Sequence, residues 1–258
     1  MYKILSIAGS DSSSIAGIQS DHRTSINHNI YCATCITALT AQNSSKISAI
    51  KQCDPEFFEQ QLKIILYDVK FDAIKIGMIP NELIADIIYR YLSKFKIKII
   101  FDPIIKSSSN TILANKKAIS SFINKIIKIS YLITPNIDEA SKLTNHNITS
   151  ISDIKRVAIQ LRDLGANNIL IKGGHLLNSK TQISNILYDK NNNFYEIKNK
   201  RLEKNFRGTG CALSTAITCN IAMGYDIYNS IKRGNSYVYK TAKKSIKIGE
   251  GKNILGYL

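Results

Sequence analysis

The sequence predicts an α/β protein built on a mostly parallel β-sheet with helices over both faces. Three observations carry this. Apolar runs of strand length recur along the 258 residues, longer segments with helical spacing lie between them, and no break in composition divides the chain. The runs fall at 4–8, 31–37, 73–76, 97–101, 131–133 and 168–171. Continuous rather than alternating apolar runs are what strands need when both faces are buried. A later pair, 183–188 and 194–197, flanks the turn-like 189–193 and predicts an antiparallel hairpin added to the sheet.

Helix starts are written in the local chemistry. Asp54-Pro55 predicts an N-cap with proline in the first turn, ahead of an apolar stripe. Asn136-Ile137-Asp138-Glu139 has the form of a capping box after Thr134-Pro135. Ser152 is expected to cap a helix running to Leu164, closed by Gly165. From Gly208 to about Ile248 the pattern predicts two helices separated near Gly224. The expectation is one domain over residues 1–258, with functional loops at the carboxyl ends of the strands.

Composition excludes several classes. With 44% hydrophobic and 21% charged residues and a mean hydropathy of -0.08, the chain is too apolar for disorder. Its 13 Gly and 4 Pro exclude collagen-like and linker sequences. No run approaches the roughly 20 apolar residues of a membrane span. The opening apolar run stops at Ser10 and Asp11, too short for a signal peptide, so a cytoplasmic location is expected. A balance of 35 Lys+Arg against 19 Asp+Glu, net +16, raises nucleic-acid binding. The lysines are dispersed among Ile and Asn, however, without a clustered footprint, and no specific nucleic-acid partner is expected. Five cysteines do not suggest a disulfide framework. Cys32-x-x-Cys35 lacks the second ligand pair that zinc needs, so a buried strand is the expected reading.

The sharpest motif is the string from Arg207 to Ala216, RGTGCALSTA. Gly208 and Gly210 let backbone approach a ligand closely, and small residues then start a helix whose free N–H groups suit a phosphate. The same string would also serve as a tightly packed loop-to-helix junction. Cys211 falls in the first helical turn, where a lowered thiol pKa is expected. The absence of a following Lys-Ser/Thr pair excludes a Walker loop. Residues 8–21 run from the first strand into a helix with too few glycines for a dinucleotide fingerprint. Asp11 and Asp21 there either bind a polar substrate or serve as helix-start carboxylates. Gln42 follows a strand and offers a donor beside an acceptor, suited to an aminopyrimidine edge, although such amides are usually turn residues. Lys75-Ile76-Gly77-Met78 follows another strand. Asp102 and the Asn136–Glu139 pair put carboxylates just past strands, where Mg2+ and its waters sit well. Lys172 ends a strand as a point charge for a phosphate oxygen, and His175 beyond it is expected to be a turn residue rather than a catalyst. An acid, an amide, a lysine, a carboxylate pair and an anion-binding helix start at separate strand ends fit phosphoryl transfer.

Seven segments in order, IAGSDSSSIAGIQSD, ITALTAQNS, KIGMI, FDPII, LITPNIDEA, ILIKGGH and RGTGCALSTA, resemble the ribokinase-like superfamily and, within it, the hydroxymethylpyrimidine/phosphomethylpyrimidine kinases of thiamine synthesis. The resemblance covers nearly the whole chain. It implies a ribokinase-like three-layer sandwich, usually a homodimer, that uses MgATP to phosphorylate an aminopyrimidine alcohol and then its monophosphate. It implies pyrimidine contacts at Gly9, Asp21, Gln42 and Met78, with Asp11 and Ala16 in the same loop. Asp102 and Glu139 resemble carboxylates near Mg2+, acting through water, with Asn136 beside them. Lys172 and Thr209 resemble nucleotide phosphate contacts. Gly208, Gly210 and Cys211 match the anion hole, with Cys211 where most of the superfamily carries Asp as base.

Three departures stand out. Ser12 to Gly17 lacks the proline and both central glycines usual after Asp11, and Ile15 does not adopt positive φ cheaply, so a reshaped loop is expected. Ser108 replaces a usual lysine, with Lys106 close by, and Arg207 stands where His is common. The rival readings are a pyridoxal or pyridoxine kinase and a non-catalytic pyrimidine-binding relative.

Overall fold

The computed structural model describes residues 1–173, 182–202 and 206–257. Gly174 and His175 lie outside the described residues. Strands β1 (Lys3–Asp11), β2 (Tyr31–Gln42), β3 (Ile47–Gln52), β4 (Ala73–Ile76), β5 (Lys98–Phe101), β6 (Leu132–Ile133), β7 (Ile169–Lys172), β8 (Gln182–Tyr188) and β9 (Phe194–Lys200) form a nine-stranded sheet. Its spatial order is β3-β2-β1-β4-β5-β6-β7-β8-β9. The run from β2 to β7 is parallel. At one edge β3 pairs antiparallel with β2, and at the other β8 pairs antiparallel with both β7 and β9.

The helices are α1 (Gly17–Ile26), α2 (Pro55–Asp68), α3 (Glu82–Leu92), α4 (Lys116–Ser121), α5 (Ile127–Ile129), α6 (Ile137–Thr144), α7 (Ile151–Asp163), α8 (Thr209–Ala222) and α9 (Ile227–Lys243). A π-helical turn, Phe122–Ile126, joins α4 to α5. Period-two alternation divides the strand residues between two cores. Leu5, Ile74, Phe101, Ile133 and Ile171 face α2 to α7. Ile4, Ala73, Ile100, Leu132 and Leu170 face the other way, against α8 and α9. The expected three-layer sandwich is therefore present. Among the described residues no helix is long and apolar enough to cross a membrane.

The hairpin, the α2 cap at Asp54 and the α6 capping box form as the local sequence predicts. Three features differ. β3 was not foreseen, because ISAIKQ lies on a sheet edge with every residue partly or fully exposed, so it carries no continuous apolar run. A small parallel pair, β10 (Phe206–Arg207) with β11 (Asn253–Ile254), joins distant segments too short to show a pattern. The cap of α7 is Ser150 rather than Ser152. Ser150 Oγ accepts from Asp153 N at 3.1 Å, and the Asp153 carboxylate accepts from Ser150 N at 3.0 Å. Cys32 and Cys35 are free and buried in β2, their thiols pushed up to about 12 by burial, as the strand reading expects.

Ser150→Ala should therefore cost about 1 kcal/mol of stability, against a few tenths for Ser152→Ala. Urea unfolding of the two variants checks this, and the reverse ranking would return the cap to Ser152.

Candidate active site

Because β1, β2, β4, β5, β6 and β7 are parallel, their carboxyl ends share one edge of the sheet, where α8 also begins. These ends line a cleft of about 1090 Å³. Gly9, Asp11 and Ala16 reach it from the first loop, Gln42 from β2 and Met78 from beyond β4. Asp102, Asn136, Glu139 and Lys172 form another part of its wall, and Gly208, Thr209, Gly210 and Cys211 supply the start of α8. Of the expected site residues, the structure brings all but Asp21 to this one cleft.

Asp11 organises the first loop. Its Oδ1 accepts from Ser13 N and Ser13 Oγ, and its Oδ2 from Ile15 N, Ala16 N and Gln42 Nε2 at 2.7 Å. A carboxylate with so many donors shapes the loop and fixes the Gln42 amide. The loop takes its left-handed positions at Ser14 and Gly17, both at φ 60, and Ile15 is buried without adopting positive φ. Gly9 leaves room for Met78, since a Cβ there would stand 2.9 Å from Met78 Sδ. Met78 gives the cleft an apolar wall beside the Gln42 amide.

Asp21, expected to touch substrate, does not reach the cleft. It is fully buried beneath it. Its Oδ2 accepts from Lys75 Nζ at 2.7 Å and from Ser6 Oγ at 2.5 Å, and its Oδ1 accepts from Thr215 Oγ1 at 2.7 Å. Helix α1 turns its polar residues Ser20, Asp21, Thr24 and Ser25 inward. An unpaired buried ammonium is prohibitive, so a carboxylate at 21 is what allows Lys75 inside. Burial is the largest influence and opposes the Lys75 charge, but Asp21, Cys211 and Asp102 together outweigh it and keep the ammonium protonated. Lys75 itself lines the cleft.

Elsewhere on the cleft wall, Lys172 Nζ pairs with Asp102 Oδ1 at 2.8 Å, and Thr134 Oγ1 donates to the same oxygen. Burial opposes the Asp102 charge, but Lys172 and Lys75 overcome it and hold the carboxyl below its ordinary value. Glu139 closes the α6 capping box by accepting from Asn136 N at 2.8 Å. Burial pushes its carboxyl up to about 7, and the neighbouring Asp102 charge adds to this. Among the described residues no group of three or more His, Cys, Asp or Glu side chains is arranged to hold a metal ion directly. The Asp102–Glu139 pair nonetheless carries more negative charge than Lys172 offsets, which suits a hydrated divalent cation.

At the start of α8, Gly208 adopts φ +82, and a Cβ there would meet the Ile15 carbonyl oxygen at 2.3 Å. The first loop thus lies directly on the loop that starts α8. The two ends of the chain build one site. A Cβ at Gly210 would come within 3.8 Å of both Lys172 Nζ and Asp102 Oδ2, so the backbone here lies close to that ion pair. Cys211 shares the cleft with Gln42 and retains 8% exposure. The expected low thiol pKa is not present. Burial pushes it up to about 11, with Lys75 pulling in the opposite direction. Desolvation, with the Asp21 and Asp102 charges, outweighs the lowering influences on the thiol.

The family described as phosphomethylpyrimidine kinase matches residues 11–256. The chain belongs to this family. It is 37% identical over 255 residues to a hydroxymethylpyrimidine/phosphomethylpyrimidine kinase of Aquifex aeolicus, covering 98% of this chain and 99% of that one. The Bacillus subtilis protein of the same name is 32% identical, covering 97% and 93%. The chain spans about half of some longer relatives, including 48% of a thiamine biosynthetic bifunctional enzyme of Arabidopsis thaliana to which it is 34% identical over 96% of its own length. Among solved structures, phosphomethylpyrimidine kinase from Clostridium difficile superposes with a TM-score of 0.83 at 33% identity, covering 94% of this chain and 100% of that one. An ADP complex of Bacillus subtilis pyridoxal kinase gives 0.91 at 25% identity, covering 100% and 97%. The ribokinase-like architecture and the phosphotransferase class follow.

Sequence reasoning marked the segment Lys75–Met78 but gave Lys75 no partner, and it missed Thr134, Ser214 and Thr215, whose hydroxyls donate to Asp102 and Asp21. One signal was legible: a lysine inside AIKI, a strand buried at all four positions, needs a buried counter-charge. Lys75→Met should destabilise by about 3–5 kcal/mol by stranding Asp21, and adding Asp21→Asn should recover most of that loss. Denaturant unfolding of the single and double variants tests this, and equal losses would separate the two residues. Glu139 binds its proton more tightly folded, at about 7, than at its ordinary 4.5. Its contribution to stability is therefore lost as pH rises through that window. Without divalent cations, thermal melts at about pH 5 and about pH 7 should show this loss in the wild type and a flatter response in Glu139→Gln.

Proposed function

We propose that this chain transfers the γ-phosphoryl group of ATP to the hydroxymethyl group of 4-amino-5-hydroxymethyl-2-methylpyrimidine, and then phosphorylates the monoester to the diphosphate. The observation that carries this reading is the single cleft shared by Gln42 and Met78 at one side and by Cys211 and the α8 N-terminus at the other. The Gln42 amide, held by Asp11, presents its edge to the aminopyrimidine while Met78 covers a ring face. Lys172 and the N–H groups from Gly208 to Cys211 face the transferring phosphoryl group, where developing charge is greatest. Asp102 and Glu139 would hold Mg2+ through its waters, and that ion would neutralise charge on the nucleotide phosphates.

In the first step the substrate hydroxyl oxygen attacks the γ-phosphorus as the bond to the β-phosphate oxygen breaks, and the hydroxyl proton passes to Cys211. With the thiol pushed up to about 11, the base is a minor thiolate population sustained by Lys75. Positioning and charge stabilisation rather than strong basicity then carry the rate, as suits a loose phosphoryl-transfer transition state. A homodimer and a cytoplasmic location belong to the proposal on the family resemblance alone.

A second acceptor has a specific observation behind it, because solved pyridoxal kinases superpose closely, one from Staphylococcus aureus with pyridoxal bound at a TM-score of 0.89 and 26% identity. Incubation with MgATP and the pyrimidine alcohol or pyridoxal, followed by mass analysis, decides between them. The expected result is mono- and diphosphate from the pyrimidine at far higher efficiency. Phosphorylation of pyridoxal alone would overturn the assignment. Cys211→Ala should lower turnover of the alcohol by roughly 10²–10⁴-fold with little change in nucleotide binding. Near wild-type turnover in that variant would remove Cys211 from the mechanism.

A further inference from the structure

The two acceptors of the proposed reaction differ in charge, and the difference bears on residues no role above has used. An alcohol must lose a proton as it is phosphorylated. A phosphate monoester, with its second pKa near about 6, is already largely dianionic at neutral pH. Its oxygen attacks the γ-phosphorus, the bond to the β-phosphate oxygen breaks, and no proton has to be removed. What the second step requires instead is positive charge to bring one dianion against another polyanion.

Lys172 is committed to Asp102 and Lys75 to Asp21. Four other cations line the cleft, namely Lys106, Lys142, Arg207 and Lys252. Among the described residues none of the four forms an ion pair with a carboxylate, and of the four only Arg207 is buried. Arg207 is 4% exposed, and its Nη1 donates to the carbonyl oxygens of Asn43 and Ser44, both at 3.2 Å. These bonds hold the guanidinium beside the turn after Gln42, where the Asp11 carboxylate acts on its charge without forming an ion pair with it. Arg207 immediately precedes Gly208, so its charge lies next to the anion loop in the chain. The β10–β11 register, Phe206 with Asn253 and Arg207 with Ile254, brings Lys252 alongside. Arg207 and Lys252 also border an adjoining hollow of about 540 Å³. A buried guanidinium offers a planar fork suited to phosphate oxygens.

We infer that Arg207, assisted by Lys252, is the specificity-determining residue that receives the acceptor phosphate in the second phosphorylation. This rests on the pyrimidine-kinase reading but assigns the two steps to different residues, Cys211 to the alcohol and Arg207 to the monoester.

The test compares kcat/KM for the alcohol and for its monophosphate in Arg207→Met, Arg207→Lys and Lys252→Met, with calorimetric titration of each acceptor in the absence of ATP. In Arg207→Met the ratio of monoester to alcohol efficiency should fall by roughly 10- to 100-fold, the value of a charge-assisted hydrogen-bonding group. Monoester affinity relative to alcohol affinity should fall with it. Arg207→Lys should recover part of the loss, and Lys252→Met should shift the ratio the same way by a smaller factor. Cys211→Ala should move the ratio in the opposite direction. Equal losses for both acceptors would show Arg207 to be merely a clasp on the 43–44 turn and overturn the inference, as would an unchanged ratio. If wild-type protein does not phosphorylate the alcohol, the parent reading falls, while the calorimetric ratio still decides this one. Absence of monoester binding to the wild type would also overturn it.

Discussion

A carboxylate closed off from water beneath the cleft holds the site together. Asp21 accepts from side chains on three other elements, Ser6 on β1, Lys75 on β4 and Thr215 on α8. Each partner arrives from a different part of the chain. A buried charge tolerates little slack, because losing any one donor leaves an unsatisfied group in a low-dielectric interior. The network therefore fixes how α8 sits over the sheet. Thr215 is one helical turn beyond Cys211 on the same face of α8, so the position of the thiol follows from a contact that no substrate touches.

Above that layer the cleft is organised by charge balance. Lys75 and Lys172 each answer a buried aspartate, which leaves Glu139 short of a counter-charge and its carboxyl raised. Such an arrangement favours a hydrated cation and polyanionic ligands more than a preformed metal cage. The same accounting distinguishes cations already committed within the fold from Arg207 and Lys252. Phosphoryl transfer asks a protein chiefly to place opposite charges around a developing one, and the distribution here matches that demand.

Much of the fold was legible in advance because its signals are local. Strands buried on both faces carry unbroken apolar runs, and the α6 capping box and the proline-bearing start of α2 are completed within four residues. β3, β10 and β11 escaped notice because an exposed edge strand and two-residue pairings leave no periodic trace. Ser150 was passed over for Ser152 although Ser150-x-x-Asp153 satisfies the capping pattern and Ser152 does not. Thirteen of the fourteen expected site residues reach the cleft, since parallel strands deliver their carboxyl ends to one edge wherever the intervening helices lie.

Residue types, strand ends and the glycine-flanked cysteine determined the reaction class by themselves, because backbone preference and side-chain chemistry act over a few residues. Tertiary structure decided what each charge does. Asp21 became the buried counter-charge of Lys75, the Cys211 thiol was raised where its helix position argued for lowering, and Arg207 was placed between the turn after Gln42 and β11. Those outcomes depend on desolvation and on partners as far as 194 positions away, and neither is encoded in any local stretch of sequence.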